Sequence, residues 1–173
     1  LTVYGVYIYN NLVALKHNVS KAWSNIDVLL KQRHDELPKL VEVCKQYMGY
    51  EQETLEKVMQ ARSQVHSAQE SGDMKALGAA EGQLRLGLGN LFAVAEAYPD
   101  LKANQNFLEL QAQLEGTENR IATERRKFNQ VTREYNSYIR KFPNNIFAGW
   151  YNFDQKPYFE AKEGAEEAPE VQF

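Results

Sequence analysis

The stretch FLELQAQLEGTENRIATERRKFNQVTREYNSYIRKF, residues 107–142, places a large apolar side chain at every seventh position: Phe107, Leu114, Ile121, Phe128, Tyr135 and Phe142. Seven residues are nearly two turns of α-helix, so these side chains form one stripe along a single long helix. A strict seven-residue repeat held this far implies a left-handed supercoil against partner helices. Asp100 and Asn104 are candidate caps at its start and Pro143 ends it. Arg125, Arg126, Lys127, Arg133, Arg140 and Lys141 weight its C-terminal half with positive charge, which suits the helix dipole at its last turn.

Working outward from this helix, three more seams of the same period appear. Upstream, Leu77, Glu81, Leu84, Leu88, Leu91, Ala95 and Tyr98 line a helix that should stop at Pro99. Gly78, Gly82, Gly87 and Gly89 lie within it; each costs about 1 kcal/mol relative to alanine, which points to close approach of a neighbouring helix. Ser71-Gly72-Asp73 reads as a tight turn, with Gly72 left-handed and Asp73 capping the helix after it. Before the turn, Leu37, Val41, Cys44, Met48, Glu51, Leu55, Val58, Arg62 and Val65 give a helix over about 36–70, with Glu53 and Lys57 as a surface pair. Leu12, Leu15, Val19, Ala22, Ile26 and Leu29 give the first helix, over about 10–33. Pro38 interrupts the pattern and predicts a break at His34–Leu37; a kinked continuous helix is the alternative. The fold class is therefore all-α, a bundle of four long antiparallel helices over residues 10–142.

The two ends differ from the middle. Residues 1–9, LTVYGVYIY, carry no charge, with Tyr4, Tyr7 and Tyr9 among aliphatics and Lys16 and Lys21 following. They read either as an apolar first turn or as the remnant of a transmembrane anchor, which would need roughly 20 residues to span. Residues 143–173 form a tail in which Phe147, Trp150, Tyr151, Phe153, Tyr158 and Phe159 are expected to pack back on the bundle, an exposed docking strip being the alternative. Its acidic end, with Glu160, Glu163, Glu166, Glu167 and Glu170, is expected to be mobile.

Composition narrows the chemistry. The 173 residues carry a formal charge of −3 with both signs mixed throughout, which argues against a nucleic-acid partner. The single cysteine, Cys44, lies on a seam and reads as an inert buried thiol. The three histidines, His17, His34 and His66, are preceded three residues earlier by Ala14, Lys31 and Ser63, so the Glu-x-x-His pairs of di-iron bundles are missing. His66 and Glu70 share a face, but two ligands make a weak metal site. Phosphate loops, dinucleotide fingerprints, zinc-hydrolase motifs and nucleophile elbows do not occur. No catalytic, cofactor-binding or metal-ligating residue and no cofactor is assigned.

The seam charges are the remaining polar signal: Glu51, Arg62, Glu81, and on the last helix either Glu118 with Arg125 or Thr117 with Glu124. A buried charge must be paired. These residues form either a polar layer of Glu/Arg pairs that fixes helix register or a set that rotates out to water. Asn129 and Asn136, also seven apart, are candidates for the same register role.

Several segments together resemble the LemA family of bacterial proteins. They are Tyr9-Asn-Asn-Leu-Val13, Ala22-Trp-Ser-Asn-Ile-Asp27, Arg33-His34 leading to Pro38-Lys-Leu-Val-Glu42, and Glu53-Thr-Leu-Glu56. Ala97-Tyr-Pro-Asp-Leu-Lys-Ala-Asn104, Thr117-Glu-Asn-Arg-Ile-Ala122, Tyr135-Asn136 before Phe142-Pro143, Tyr158-Phe159 and Ala168-Pro-Glu-Val171 continue the likeness. The resemblance implies a single-pass N-terminal anchor in the cell membrane, of which residues 1–9 are the remnant, and a helical domain in the cytoplasm. It supplies no catalytic residues. The function expected is a non-enzymatic, membrane-tethered interaction or scaffold module with protein partners; the alternative is a membrane-associated enzyme or enzyme regulator using a polar site between helices.

Overall fold

A computed structural model describes residues 1–160. The protein is all-α, built on four long helices, α1 (Thr2–Tyr47), α2 (Gln52–Ser71), α3 (Met74–Ala95) and α5 (Gln105–Arg140). Among the described residues two short ones accompany them, α4 (Pro99–Lys102) and α6 (Asn144–Trp150). They pack as two compact units, and α1 and α5 contribute to both.

The first unit takes Leu1–Val28 and Arg120–Tyr158. Ile8, Leu12, Val19, Ala22 and Ile26 of α1 are buried, as are Ile121, Phe128, Tyr135 and Ile139 of α5. The pair is antiparallel: Asn11 Nδ2 donates to Tyr138 Oη at 3.2 Å, and Trp23 lies 5.8 Å from the earlier Phe128, centroid to centroid. The chain after α6 is held by polar contacts to α5. Asn136 donates from Nδ2 to the Lys156 carbonyl at 2.9 Å and accepts from the Lys156 amide at 2.8 Å, and Tyr135 Oη donates to the Asp154 carbonyl at 2.8 Å. Asn136 thus satisfies an extended backbone segment, a different use from setting helix register. Tyr151 and Phe153 meet Tyr9 edge-on at 5.0 and 6.1 Å. The acidic stretch beyond Glu160 lies outside the described residues.

The second unit gathers Leu29–Asn119, joined by the buried Phe159. The α2–α3 turn forms as expected: Gly72 takes φ +72°, and Asp73 Oδ1 accepts from the amides of Lys75 and Ala76 at 3.1 Å each. Helices α2 and α3 approach closely at Gly87, where a Cβ would lie 3.5 Å from Val58 Cγ2. Helix α3 stops at Ala95, short of the expected Tyr98, and Pro99 opens α4. Asn104 caps α5, its Oδ1 accepting from the Phe107 amide at 3.1 Å. Within the seven-residue stripe of α5, Phe107, Leu114, Ile121, Phe128 and Tyr135 are buried. Phe142 departs from it: α5 ends at Arg140, the backbone before Pro143 leaves the helix, and Phe142 is 80% exposed.

The expected break at His34–Leu37 does not occur; α1 runs through Pro38 to Tyr47, and the chain turns at Met48–Glu51 instead. The cause is local. Proline has no amide proton, so the carbonyl four residues earlier, that of His34, loses its helical donor. Arg62 of α2 replaces it, its Nε donating to the His34 carbonyl oxygen at 2.8 Å. The charge on the α2 seam and the proline in α1 therefore explain each other. The turn also removes Glu51 from a helical seam, and its carboxylate accepts from Tyr98 Oη at 3.4 Å.

This contact predicts a coupling. Arg62→Met should cost about 1–3 kcal/mol, because it leaves a half-buried carbonyl without its donor. In a Pro38→Ala background the alanine amide supplies that donor, and the same substitution should cost less than about 0.5 kcal/mol. Urea unfolding of the four variants checks this; equal costs in both backgrounds would contradict it.

Candidate functional site

Arg33 is the most unexpected residue of the second unit: its side chain is 1% exposed. It sits in register with the α1 core, since Leu12, Val19, Ile26, Arg33 and Leu40 are spaced by seven and the other four are buried aliphatics. Two other helices supply its counter-charges. Glu81 of α3 binds the guanidinium with both carboxylate oxygens, one at 2.9 Å from Nη1 and the other against Nη2. Glu118 of α5 accepts from Nη1 at 2.9 Å. The planar fork of arginine makes the two-point contact with Glu81 possible, where lysine would offer one point charge.

The electrostatics follow from the geometry. Burial alone would lower the Arg33 pKa; the two carboxylates outweigh it and hold it above its ordinary value. Glu81 and Glu118 share the Arg33 guanidinium, and Arg85 adds a second positive charge near Glu118. Its pKa is raised from the ordinary 4.5, first by desolvation and then by Glu81, with Arg33 opposing. Glu118 is also the more accessible carboxylate, 38% exposed against 10% for Glu81.

One turn along α1, Glu36 is buried among neutral partners. Gln32 Nε2 donates to its Oε1 at 3.0 Å, and the Thr117 hydroxyl lies 3.3 Å from its Oε2. Thr117 Oγ1 is also 2.9 Å from the Gln113 carbonyl, so its single proton chooses between two acceptors. Beside Arg33 in sequence, the half-buried His34 stacks on His66 with ring centroids 4.5 Å apart. Desolvation, then Arg62 and His66, lower the His34 pKa from its ordinary 6.5, with Asp35 opposing and Arg33 adding to the fall. His34 is therefore neutral at neutral pH.

A polar layer exists, with a membership that differs from the expected one. Glu81 and Glu118 belong to it. Arg62 serves a backbone carbonyl, Glu51 lies in a turn, and Arg125 belongs to the other unit. Thr117 pairs with Glu36 in place of Glu124, which contacts Lys127 at 3.4 Å. The residue that sequence reasoning misses is Arg33, although its signal is present: stepping seven from Ile26 lands on it. A helix end placed at Arg33 hides that register. His66 and Glu70 do pair, at 3.1 Å, on the exposed face of α2. Among the described residues no three His, Cys, Asp or Glu side chains gather as a metal site. Cys44 is fully buried and burial pushes its thiol up to about 11, so it is a poor nucleophile.

The cluster can fix how α1, α3 and α5 meet. Both carboxylates and the guanidinium are engaged with one another, which leaves no free acid–base pair. Glu81→Gln should therefore cost about 3 kcal/mol, because it breaks the two-point contact of a buried charge. Glu118→Gln keeps an acceptor for Arg33 and removes a charge that desolvation disfavours, so it should cost about 1 kcal/mol or less. Because the Glu118 pKa is raised in the fold, its contribution is present at low pH and is lost as pH rises through that raised value. Urea unfolding across pH should show the wild-type chain losing stability relative to Glu118→Gln as pH climbs above about 4.5. Equal costs at Glu81 and Glu118, or parallel pH profiles, would contradict this reading.

The LemA family profile matches residues 22–173 of the chain. Magnetosome proteins MamQ 1 and MamQ 2 of Paramagnetospirillum magneticum are each 27% identical to it, over 89% of this chain and 65% of theirs. Protein LemA of Metamycoplasma hominis is 28% identical, over 92% of this chain and 73% of its own. The chain thus spans about 65% of the length of the MamQ relatives it matches. With this helical architecture and a profile match over most of its length, the chain belongs to the LemA family.

Proposed function

We propose that this protein is a membrane-associated, non-enzymatic helical scaffold, anchored through its N-terminal end and presenting the helices of the second unit to protein partners. The observation that carries the reading is the mutual engagement of Arg33, Glu81 and Glu118. Arg33 and Glu81, the most deeply buried of these charges, engage each other in a two-point contact between helices, where an enzyme would leave a carboxylate or cation facing a substrate cavity. The names of the magnetosome relatives give a place and no reaction.

The membrane part of the proposal draws on α1. Its first turns expose Val3, Tyr4, Val6 and Tyr7 while burying Ile8, an apolar surface that water does not favour. No helix among the described residues is long and apolar enough to cross a membrane. A single-pass anchor, with the helical units on the cytoplasmic side, is accordingly part of this proposal.

A second reading, a membrane-associated enzyme or regulator using a polar inter-helix site, finds its best support in the narrow crevice lined by His34, His66 and Arg62. There Arg62 already donates to the His34 carbonyl, which favours the scaffold.

The test uses the full-length protein in its native cells. Extraction of the membranes with alkaline carbonate should leave the protein in the pellet, and crosslinking from exposed positions of α2 and α3 should recover the same partner in replicate experiments. Release into the supernatant would contradict the anchor, and the lack of any reproducible partner would contradict the scaffold.

A further inference from the structure

One end of the first unit combines three properties that rarely coincide. The first is exposed aromatic and aliphatic surface away from the core. Helix α6 lies on the first turns of α1: a Cβ at Gly5 would sit 3.2 Å from Phe147, and Tyr9 meets Tyr151 at 5.0 Å. With Phe147 turned toward α1, Ile146 and Trp150, one turn apart, share the outward side of α6 at 41% and 71% exposed. Phe142 and Tyr151 flank them, at 80% and 51%.

The second property is the kind of residue. Trp150 and Tyr151 are apolar bodies with a polar tip, the side chains that settle where hydrocarbon meets headgroups. The third is charge segregation. Residues 1–26 and 140–153 contain Lys16, Lys21, Arg140 and Lys141 and not one Asp or Glu, with Glu134 of α5 and Asp154 as acidic residues beside them; Lys16 lies 5.5 Å from the Phe153 ring centre. Elsewhere the two signs are mixed and the whole chain is acidic, at −3. A protein partner of ordinary mixed charge gives no reason for such segregation, whereas an anionic lipid surface does.

We propose that Phe142, Ile146, Trp150 and Tyr151 form a lipid-binding foot that seats the first unit on an anionic bilayer surface, with Lys141 and its basic neighbours facing the headgroups. This rests on the membrane-associated reading above and adds to it a contact separate from any anchor. The foot lies in the interface and does not span it: α6 is only 7 residues long. Its hold combines apolar burial with electrostatic attraction, and the latter weakens as salt rises.

The test mixes the purified 173-residue chain with vesicles of phosphatidylcholine, alone or with added phosphatidylglycerol, and reads flotation and tryptophan fluorescence. The anionic vesicles should bind at least about tenfold more tightly than the neutral ones. Lipid should blue-shift the emission and shield it from acrylamide, and Trp150→Phe should abolish both changes, since the other tryptophan, Trp23, is packed against Phe128. Phe142→Ser with Trp150→Ser should weaken binding about tenfold or more with an unchanged helical circular dichroism spectrum, both positions being exposed. Binding that survives this pair but is lost in Tyr4→Ser with Tyr7→Ser would overturn the foot and leave the membrane reading standing. A chain that binds neither vesicle would overturn the foot, and carbonate extraction would then decide the anchor separately. Trp150 already shielded from acrylamide before lipid is added would also overturn it, since a second copy or another protein segment would then hold the surface.

Discussion

A guanidinium cannot be buried alone, and the second unit is arranged around that constraint. Arg33 stands where the α1 register calls for an aliphatic side chain, in line with Leu12, Val19, Ile26 and Leu40. Removing its charge from water costs several kcal/mol unless hydrogen-bonding counter-charges meet it. Glu81 and Glu118 meet it from α3 and α5, so three helices must present the right residues at the right height. The two-point Arg33–Glu81 contact and the Arg33–Glu118 bond form only at that height. Glu36, Thr117 and Gln32 repeat the device one turn along with neutral partners.

The same logic of satisfied groups governs the backbone. Pro38 leaves one carbonyl of α1 without a donor, and Arg62 supplies the donor from α2. Asn136 and Tyr135 do the same for the extended segment after α6. In each case a polar side chain on an apolar seam completes the hydrogen bond of a distant backbone group.

Much of the fold is legible in the sequence, because periodicity is a local signal. Five members of the α5 stripe are buried, the Ser71-Gly72-Asp73 turn forms with its cap, and Asn104 caps α5. The departures at Pro38 and Arg33 share one origin. Pro38 reads as a break only when its compensating donor is unknown, and Arg62 lies 24 residues further along the chain. A first helix ended at Arg33 then takes Arg33 out of its own heptad and leaves Glu81 and Glu118 without their partner. Phe142 joins the stripe by seven-residue spacing, which does not register that Pro143 ends the helix. The foot is visible in the sequence only as aromatic density; its exposure depends on which face of α6 lies on α1, which spacing alone does not give.

The central claim is that the buried charges hold α1, α3 and α5 together as a structural cluster. The direct test replaces all three at once, Arg33→Met, Glu81→Leu and Glu118→Leu, in the full-length protein and measures its co-fractionation with native membranes beside its unfolding in urea. A buried ion cluster exchanged for apolar side chains of similar size is often neutral or stabilising by about 1–4 kcal/mol. The account predicts a folded chain at least as stable as wild type that still fractionates with the membrane and crosslinks to the same partner. A chain that folds with unchanged stability yet loses its membrane fraction or its partner would contradict it.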